Sequence, residues 1–126
     1  MAAIAGLDIL IVDDHEAMRA ILERSLSRAG AQKIRQAAAG PQALELLAER
    51  PADLILADHR MPGMDGHAFI AAVRADDALS HARILMITGS SEACVAAAAR
   101  AAGADAVLVK PVAPSALMGA IAALYA

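Results

Sequence analysis

Five alternations of a short apolar run with a longer stretch of helical spacing predict an α/β domain with a parallel five-stranded sheet. Two further observations support that class. The strand-like runs are dominated by Leu, Ile and Val, as in strands buried within a layered domain. Helix start and stop signals separate them, and right-handed crossovers would then cover both faces of the sheet.

Leu7 to Val12 is the first apolar run. His15 to Ala29 follows with Met18, Ile21, Leu22 and Leu26 at helical spacing, ending at a candidate C-cap, Gly30. Lys33 to Ala37 is a weaker strand, and Pro41 opens a helix that turns Ala43, Leu44 and Leu47 inward. Asp53 to Ala57 is the third strand. The loop Met61-Pro62-Gly63-Met64 leads to a helix over Gly66 to Ala75, with Phe69, Ile70 and Val73 packed. Arg83 to Ile87 is the fourth strand, and Ser91 to Ala102 is an alanine-rich helix stopped by Gly103. Asp105 to Val109 is the fifth strand and Pro114 to Tyr125 the last helix. No linker, repeat or low-complexity tail interrupts the series, so one domain across residues 1–126 is expected.

Composition narrows the function. The apolar fraction is 59%, but alanine supplies 35 residues, so the large core formers are Leu, Ile, Val and Met. With Phe69 and Tyr125 as the aromatics, no base-stacking surface is expected. A net charge of −3 gives no broad basic field for nucleic acid or an anionic membrane. The single Cys94 precludes an internal disulfide framework and suits a reducing cytoplasm. No apolar stretch reaches membrane-span length, and the uncharged Met1–Gly6 does not read as a signal peptide.

The polar chemistry gathers at strand ends. Asp13 and Asp14 follow the first strand, Asp58 the third, Thr88 the fourth and Lys110 the fifth. In a parallel sheet these ends share one edge, where open α/β sheets bind ligands. If the first and third strands are neighbours, three carboxylates converge and require a compensating cation or a retained proton. Such a donor set suits Mg²⁺, a hard cation that keeps several waters. Lys110 adds a mobile positive charge, Thr88 a hydroxyl, and Gly89 an open approach. Together they make a phosphoryl-transfer site with a carboxylate nucleophile. Singly, each has a bland explanation: Asp-Asp pairs cap helices, and Thr88-Gly89 is a turn signal. The force lies in five suitable residue types at successive strand ends.

Ile11-Val12-Asp13-Asp14-His15, Leu54-Ile55-Leu56-Ala57-Asp58, Met61-Pro62-Gly63-Met64-Asp65-Gly66, Thr88-Gly89 and Lys110-Pro111 together resemble the receiver domains of two-component response regulators. The stand-alone, CheY-like form is the nearest, and the resemblance covers essentially the whole chain. It implies a doubly wound, flavodoxin-like sheet in the order 2-1-3-4-5; that order comes from the family, not from the residues. It further implies Asp58 as phospho-acceptor, and Mg²⁺ held by Asp14, Asp58 and the backbone carbonyl of Arg60, with Asp13 acting mainly through water. Lys110 would hold the phosphorylated state together, placed by a cis bond to Pro111, and Thr88 would swing in to meet a phosphoryl oxygen. The donor would be a phosphohistidine on a sensor histidine kinase or phosphotransfer protein.

Two positions depart from the family pattern. Val107 stands where an aromatic switch ring is common, so output through such a ring is not expected. Arg60 replaces a neutral or amide side chain and is a candidate for setting phosphoryl lifetime, against the alternative of a solvated loop arginine. Ser90 is the companion position that tunes hydrolysis in the family. A possible output face follows from charge: between Val112 and Ala126 the sole ionisable side chain is Tyr125, and Ser91–Ala102 carries only Glu92 and Arg100. The fourth helix, fifth strand and fifth helix would present this face to a target or to a second copy; a codon bias toward alanine is the competing explanation. His15, His59, His67 and His81 match no zinc motif and are expected to be exposed near loops. Cys94 and Tyr125 carry no evident chemistry.

Other functions fit less well. A haloacid-dehalogenase-like phosphatase needs acids two apart after the first strand, but His15 stands two past Asp13. A P-loop hydrolase needs the glycine-rich lysine motif there, and a flavin carrier a Ser/Thr-rich loop. A receiver excised from a larger regulator or hybrid kinase, or one acting as a phosphate sink, would carry the same site.

Overall fold

The computed structural model describes residues 4–125. Residues 1–3 and Ala126, the ends of the expected N-terminal stretch and output face, lie outside them. Strands β1 (Asp8–Val12), β2 (Lys33–Ala37), β3 (Leu54–Asp58), β4 (Arg83–Thr88) and β5 (Ala106–Val109) form one parallel sheet in the order β2-β1-β3-β4-β5. Helices α1 (Glu16–Arg28), α2 (Gly40–Glu49), α3 (Gly66–Ala75), α4 (Ala93–Ala102) and α5 (Pro114–Leu124) alternate with them, and a 3-10 turn, Ile4–Gly6, precedes β1.

Period-two alternation divides the central strands between two cores. Leu10, Val12, Ile55, Ala57, Ile84 and Met86 face α2, α3 and α4, packing on Ala43, Leu47, Phe69, Ile70, Val73 and Ala99. Ile9, Ile11, Leu54, Leu56, Leu85 and Ile87 face α1 and α5, against Leu22, Leu26, Leu117 and Ile121. Burying each such Leu, Ile or Phe contributes roughly 1.5–3 kcal/mol, so both sheet faces are firmly covered.

Differences from the sequence reading concentrate at element ends. Asp58 and Thr88 are the last residues of β3 and β4, because Asp58 pairs in register with Ile87 and Thr88 with Val109. Helix α1 begins at Glu16, leaving His15 extended before it. Its C-terminal signal was well placed: Gly30, at φ +107°, follows the C-cap Ala29 and turns the chain out of the helix. Helix α4 starts at Ala93, since Ser90 to Glu92 form a turn in which the Ser90 hydroxyl accepts from the Glu92 N–H. Ile21, expected inward, is 55% exposed because Leu22 and Leu26 take the buried stripe of α1.

Two arginines fasten elements together. Arg74, at the end of α3, donates to the carbonyls of Ser80, Ala82 and Gly103 and pairs with Asp105 at 2.9 Å. Arg35 on β2 donates to the Leu46 carbonyl and pairs with Asp8, which also accepts from Arg50. Tyr125 is not idle: its hydroxyl donates to the Asp53 carbonyl at 3.1 Å, and burial raises its pKa above the usual tyrosine value.

Candidate functional site

The β1–β3 pairing brings the carboxylates together at the C-terminal edge of the sheet. Asp13, Asp14, Asp58 and His15 each place a candidate ligand atom within 4.8 Å of the others. Asp13 and Asp58 are buried, and Asp14 is half-buried. Lys110 reaches across from the end of β5, its Nζ 2.9 Å from Asp58 Oδ1 and 3.8 Å from Asp13 Oδ2. The peptide bond between Lys110 and Pro111 is cis, as expected. Asp13 Oδ1 accepts from the His15 N–H at 2.8 Å, which shapes the turn between β1 and α1.

One half-buried ammonium faces three acids. Burial raises the Asp58 pKa above its ordinary 3.8, the charges of Asp13 and Asp14 push the same way, and the Lys110 hydrogen bond and charge oppose them. Asp14 Oδ1 is buried and has no hydrogen-bond partner among the described residues, His15 Nδ1 lying 3.2 Å away without hydrogen-bond geometry. An oxygen-rich, under-neutralised cluster with an orphan carboxylate oxygen fits a hard divalent cation such as Mg²⁺.

Beside it lies an open cleft of about 390 Å³ lined by His15, Asp58, His59, Arg60, Gly89, Ser90 and Lys110. Gly89 has nothing near its Cβ position, and the Arg60 side chain is exposed at the rim. Gly66 is required by the packing below the site: a Cβ there would strike the Asp58 carbonyl oxygen and Met86 Cε. With no side chain, Gly66 instead donates its N–H to the His59 carbonyl at 2.8 Å and seats the β3–α3 loop under Asp58.

Thr88 is buried, and its Oγ1 accepts from the Ser90 N–H at 3.1 Å. The same oxygen lies 2.9 Å from His59 Nδ1. Val107 packs half-buried against the α2–α4 core. The sequence reading brought Asp13, Asp14, Asp58, Thr88, Lys110, Arg60 and Ser90 to one edge, and all of them lie there. It missed three neighbouring histidines. His15 is exposed as expected, yet its Nδ1 lies 3.2 Å from Asp14 and 3.4 Å from Asp13. His59 and His67 are half-buried rather than exposed, stacked edge to face with ring centroids 4.8 Å apart. Burial depresses the His59 pKa below 6.5, helped by His67 and Arg60. The one available hint for His59 was its place next to Asp58.

Fold and site together define a class: a doubly wound α/β domain whose strand-end pocket joins three acids to one lysine. The model of the response regulator receiver domain matches residues 9–122. The chain is 31% identical over 125 residues to a probable chemotaxis protein CheY of Rhizobium etli, covering 99% of this chain and 97% of that one. It is 37% identical over 105 residues to the chemotaxis protein CheY of Pseudomonas aeruginosa, covering 83% and 85%. The structure of the chemotaxis response regulator CheY4 of Vibrio cholerae superposes with a TM-score of 0.87 at 32% identity, covering 93% of this chain and 97% of that one. The chain belongs to the response regulator receiver domain family, the phospho-accepting switches of two-component signalling. No helix among the described residues is long and apolar enough to cross a membrane.

Proposed function

We propose that this chain acts as a single receiver domain that takes a phosphoryl group onto Asp58 and thereby changes its binding to a partner or to a second copy. The observation that carries this is the placement of Asp58: it is buried at its base, lines the open cleft, and meets Lys110 at 2.9 Å. Asp13 and Asp14 lie behind it in the same cluster.

In this reading an Asp58 carboxylate oxygen attacks the phosphorus of a phosphohistidine on a sensor histidine kinase or phosphotransfer protein. The P–N bond breaks as the P–O bond forms, and the imidazole leaves with its electron pair and takes up a proton. Asp13, Asp14, Asp58 and the Arg60 carbonyl would hold Mg²⁺, which supplies charge neutralisation for the phosphoryl oxygens. Lys110 exchanges its pairing with Asp58 for a phosphoryl oxygen, and Thr88 rotates to donate to another. Arg60 and Ser90 border the cleft from which water would attack, so they tune slow self-dephosphorylation.

The output surface is the α4–β5–α5 face. β5 is an edge strand with Val109 44% exposed, and the outward positions of α4 and α5 are mostly small and uncharged. A cytoplasmic location suits the histidine-kinase donor. The central test is a phosphotransfer time course from candidate kinases to wild type and Asp58→Asn. Labelling of wild type alone is expected; no transfer to wild type from any kinase defeats the proposal. Light scattering with and without a phosphoryl mimic separates self-association from target docking.

A further inference from the structure

We infer that His59 is a positioning residue that holds Thr88 in its unphosphorylated rotamer, taking the place of the ring that Val107 lacks. This rests on the reading of Asp58 as acceptor and Thr88 as the hydroxyl that meets the phosphoryl group.

A threonine hydroxyl has one proton and two lone-pair directions. At Thr88 one lone pair receives the Ser90 N–H, and His59 Nδ1 stands at hydrogen-bond distance on the same oxygen. Whichever of the two partners supplies the proton, the contact ties the Thr88 rotamer to the His59 ring. Rotation of Thr88 toward Asp58 breaks it.

The backbone that carries the imidazole is well anchored. The His59 backbone N–H donates to the Ile87 carbonyl at 3.0 Å, and the His59 backbone carbonyl accepts from the Gly66 N–H at 2.8 Å. His67 closes the far side of the ring edge to face, with its Nε2 buried and unpartnered among the described residues. With its backbone fixed and His67 packed against the ring, His59 has little room to follow the hydroxyl when it turns. The unphosphorylated rotamer is favoured by one hydrogen bond, which corresponds to about a threefold to tenfold bias in the switching equilibrium. Val107, an aliphatic residue on β5, offers Thr88 no comparable polar contact. His59, beside the acceptor on β3, is the ring that senses Thr88 here.

The test measures beryllofluoride affinity in Mg²⁺ by calorimetry for wild type, His59→Phe, His59→Asn, Thr88→Ala and the His59→Phe/Thr88→Ala pair. Phe keeps a ring without the polar atom, whereas Asn keeps a polar atom near the Nδ1 position. His59→Phe is expected to bind about threefold to tenfold more tightly, His59→Asn to match wild type, and the double variant to match Thr88→Ala. A Phe variant no tighter than wild type, or an equal gain in the Thr88→Ala background, overturns the inference while leaving the Asp58 reading intact. Wild type that binds no beryllofluoride overturns the Asp58 reading, and this inference with it. Should His59→Phe fail to fold, His59→Leu is read in the same way.

Discussion

Lys110 Nζ stands 2.9 Å from Asp58 Oδ1 and 3.8 Å from Asp13 Oδ2, so a single half-buried cation serves two buried acids with a third beside them. The pocket is short of positive charge, and its ionised form is held together against repulsion by the rest of the fold.

Replacing Asp58 by Asn is therefore expected to stabilise the metal-free protein. Asp58 is neutral in folded and unfolded chains below its ordinary pKa of 3.8, so it carries no penalty there. As pH rises from 3.8 toward the raised folded value, the unfolded chain ionises first and the fold loses stability, and above that value both are ionised and the loss is complete. Asp58→Asn should melt at a higher temperature than wild type at pH 7, with the gain vanishing below pH of about 4. Thermal melts of both proteins at the two pH values check this; equal melting temperatures at pH 7 would contradict it.

Mg²⁺ should stabilise wild type by mass action, by about 2.7 kcal/mol at a hundredfold excess over Kd, and so raise its melting temperature. Asp14→Asn is expected to lose most of that gain, because the orphan oxygen Oδ1 is the readiest inner ligand. The effect should shrink as pH falls toward the raised Asp58 pKa, since a proton there competes with the cation. Calcium-free titrations followed by calorimetry measure it, and an Asp14→Asn protein with the full Mg²⁺ response would exclude this ligand assignment.

Arg60 projects at the cleft rim, where a guanidinium can bond a phosphoryl oxygen and obstruct water. Arg60→Asn is expected to speed loss of the phosphoryl group by about threefold to tenfold, the worth of one hydrogen bond. Release of inorganic phosphate from the phosphorylated protein gives the rate. An unchanged rate would leave Arg60 as a solvated loop residue.

Away from the site, Arg74→Met should cost about 3 kcal/mol of stability. The change removes the donor to the carbonyls of Ser80, Ala82 and Gly103 and leaves Asp105 without its guanidinium. Urea denaturation measures the loss. Phosphorylation of the variant at low temperature should persist, because none of these groups borders the cleft.

Much of this was legible along the chain because two periodicities and a few terminators are local properties. Leu54-Ile55-Leu56 declares a buried strand wherever it lies, and Pro41, Gly30 and Gly103 end or begin helices through their own backbone preferences. The acidic site was legible because parallel strands put their C-terminal residues at one edge, whatever the strand order. Ile21 and the start of α4 were misjudged because burial and capping depend on neighbours that helical spacing does not report.

By itself, then, the sequence determined the α/β class, the succession of strands and helices, and the residue types gathered at the sheet edge. The strand order is implied in the sequence only by resemblance to a family, and is fixed in the structure by the pairings of β1 with β2 and β3, of β3 with β4 and of β4 with β5. Only the tertiary structure decided that Lys110 spans to Asp58, that Asp14 Oδ1 has no hydrogen-bond partner among the described residues, and that His59 shares the Thr88 hydroxyl. The two contacts join residues tens of positions apart, fixed when helices pack on both faces and bring the strand ends into register. A hydrogen bond requires atoms within about 3 Å, and no one-dimensional pattern specifies separations on that scale.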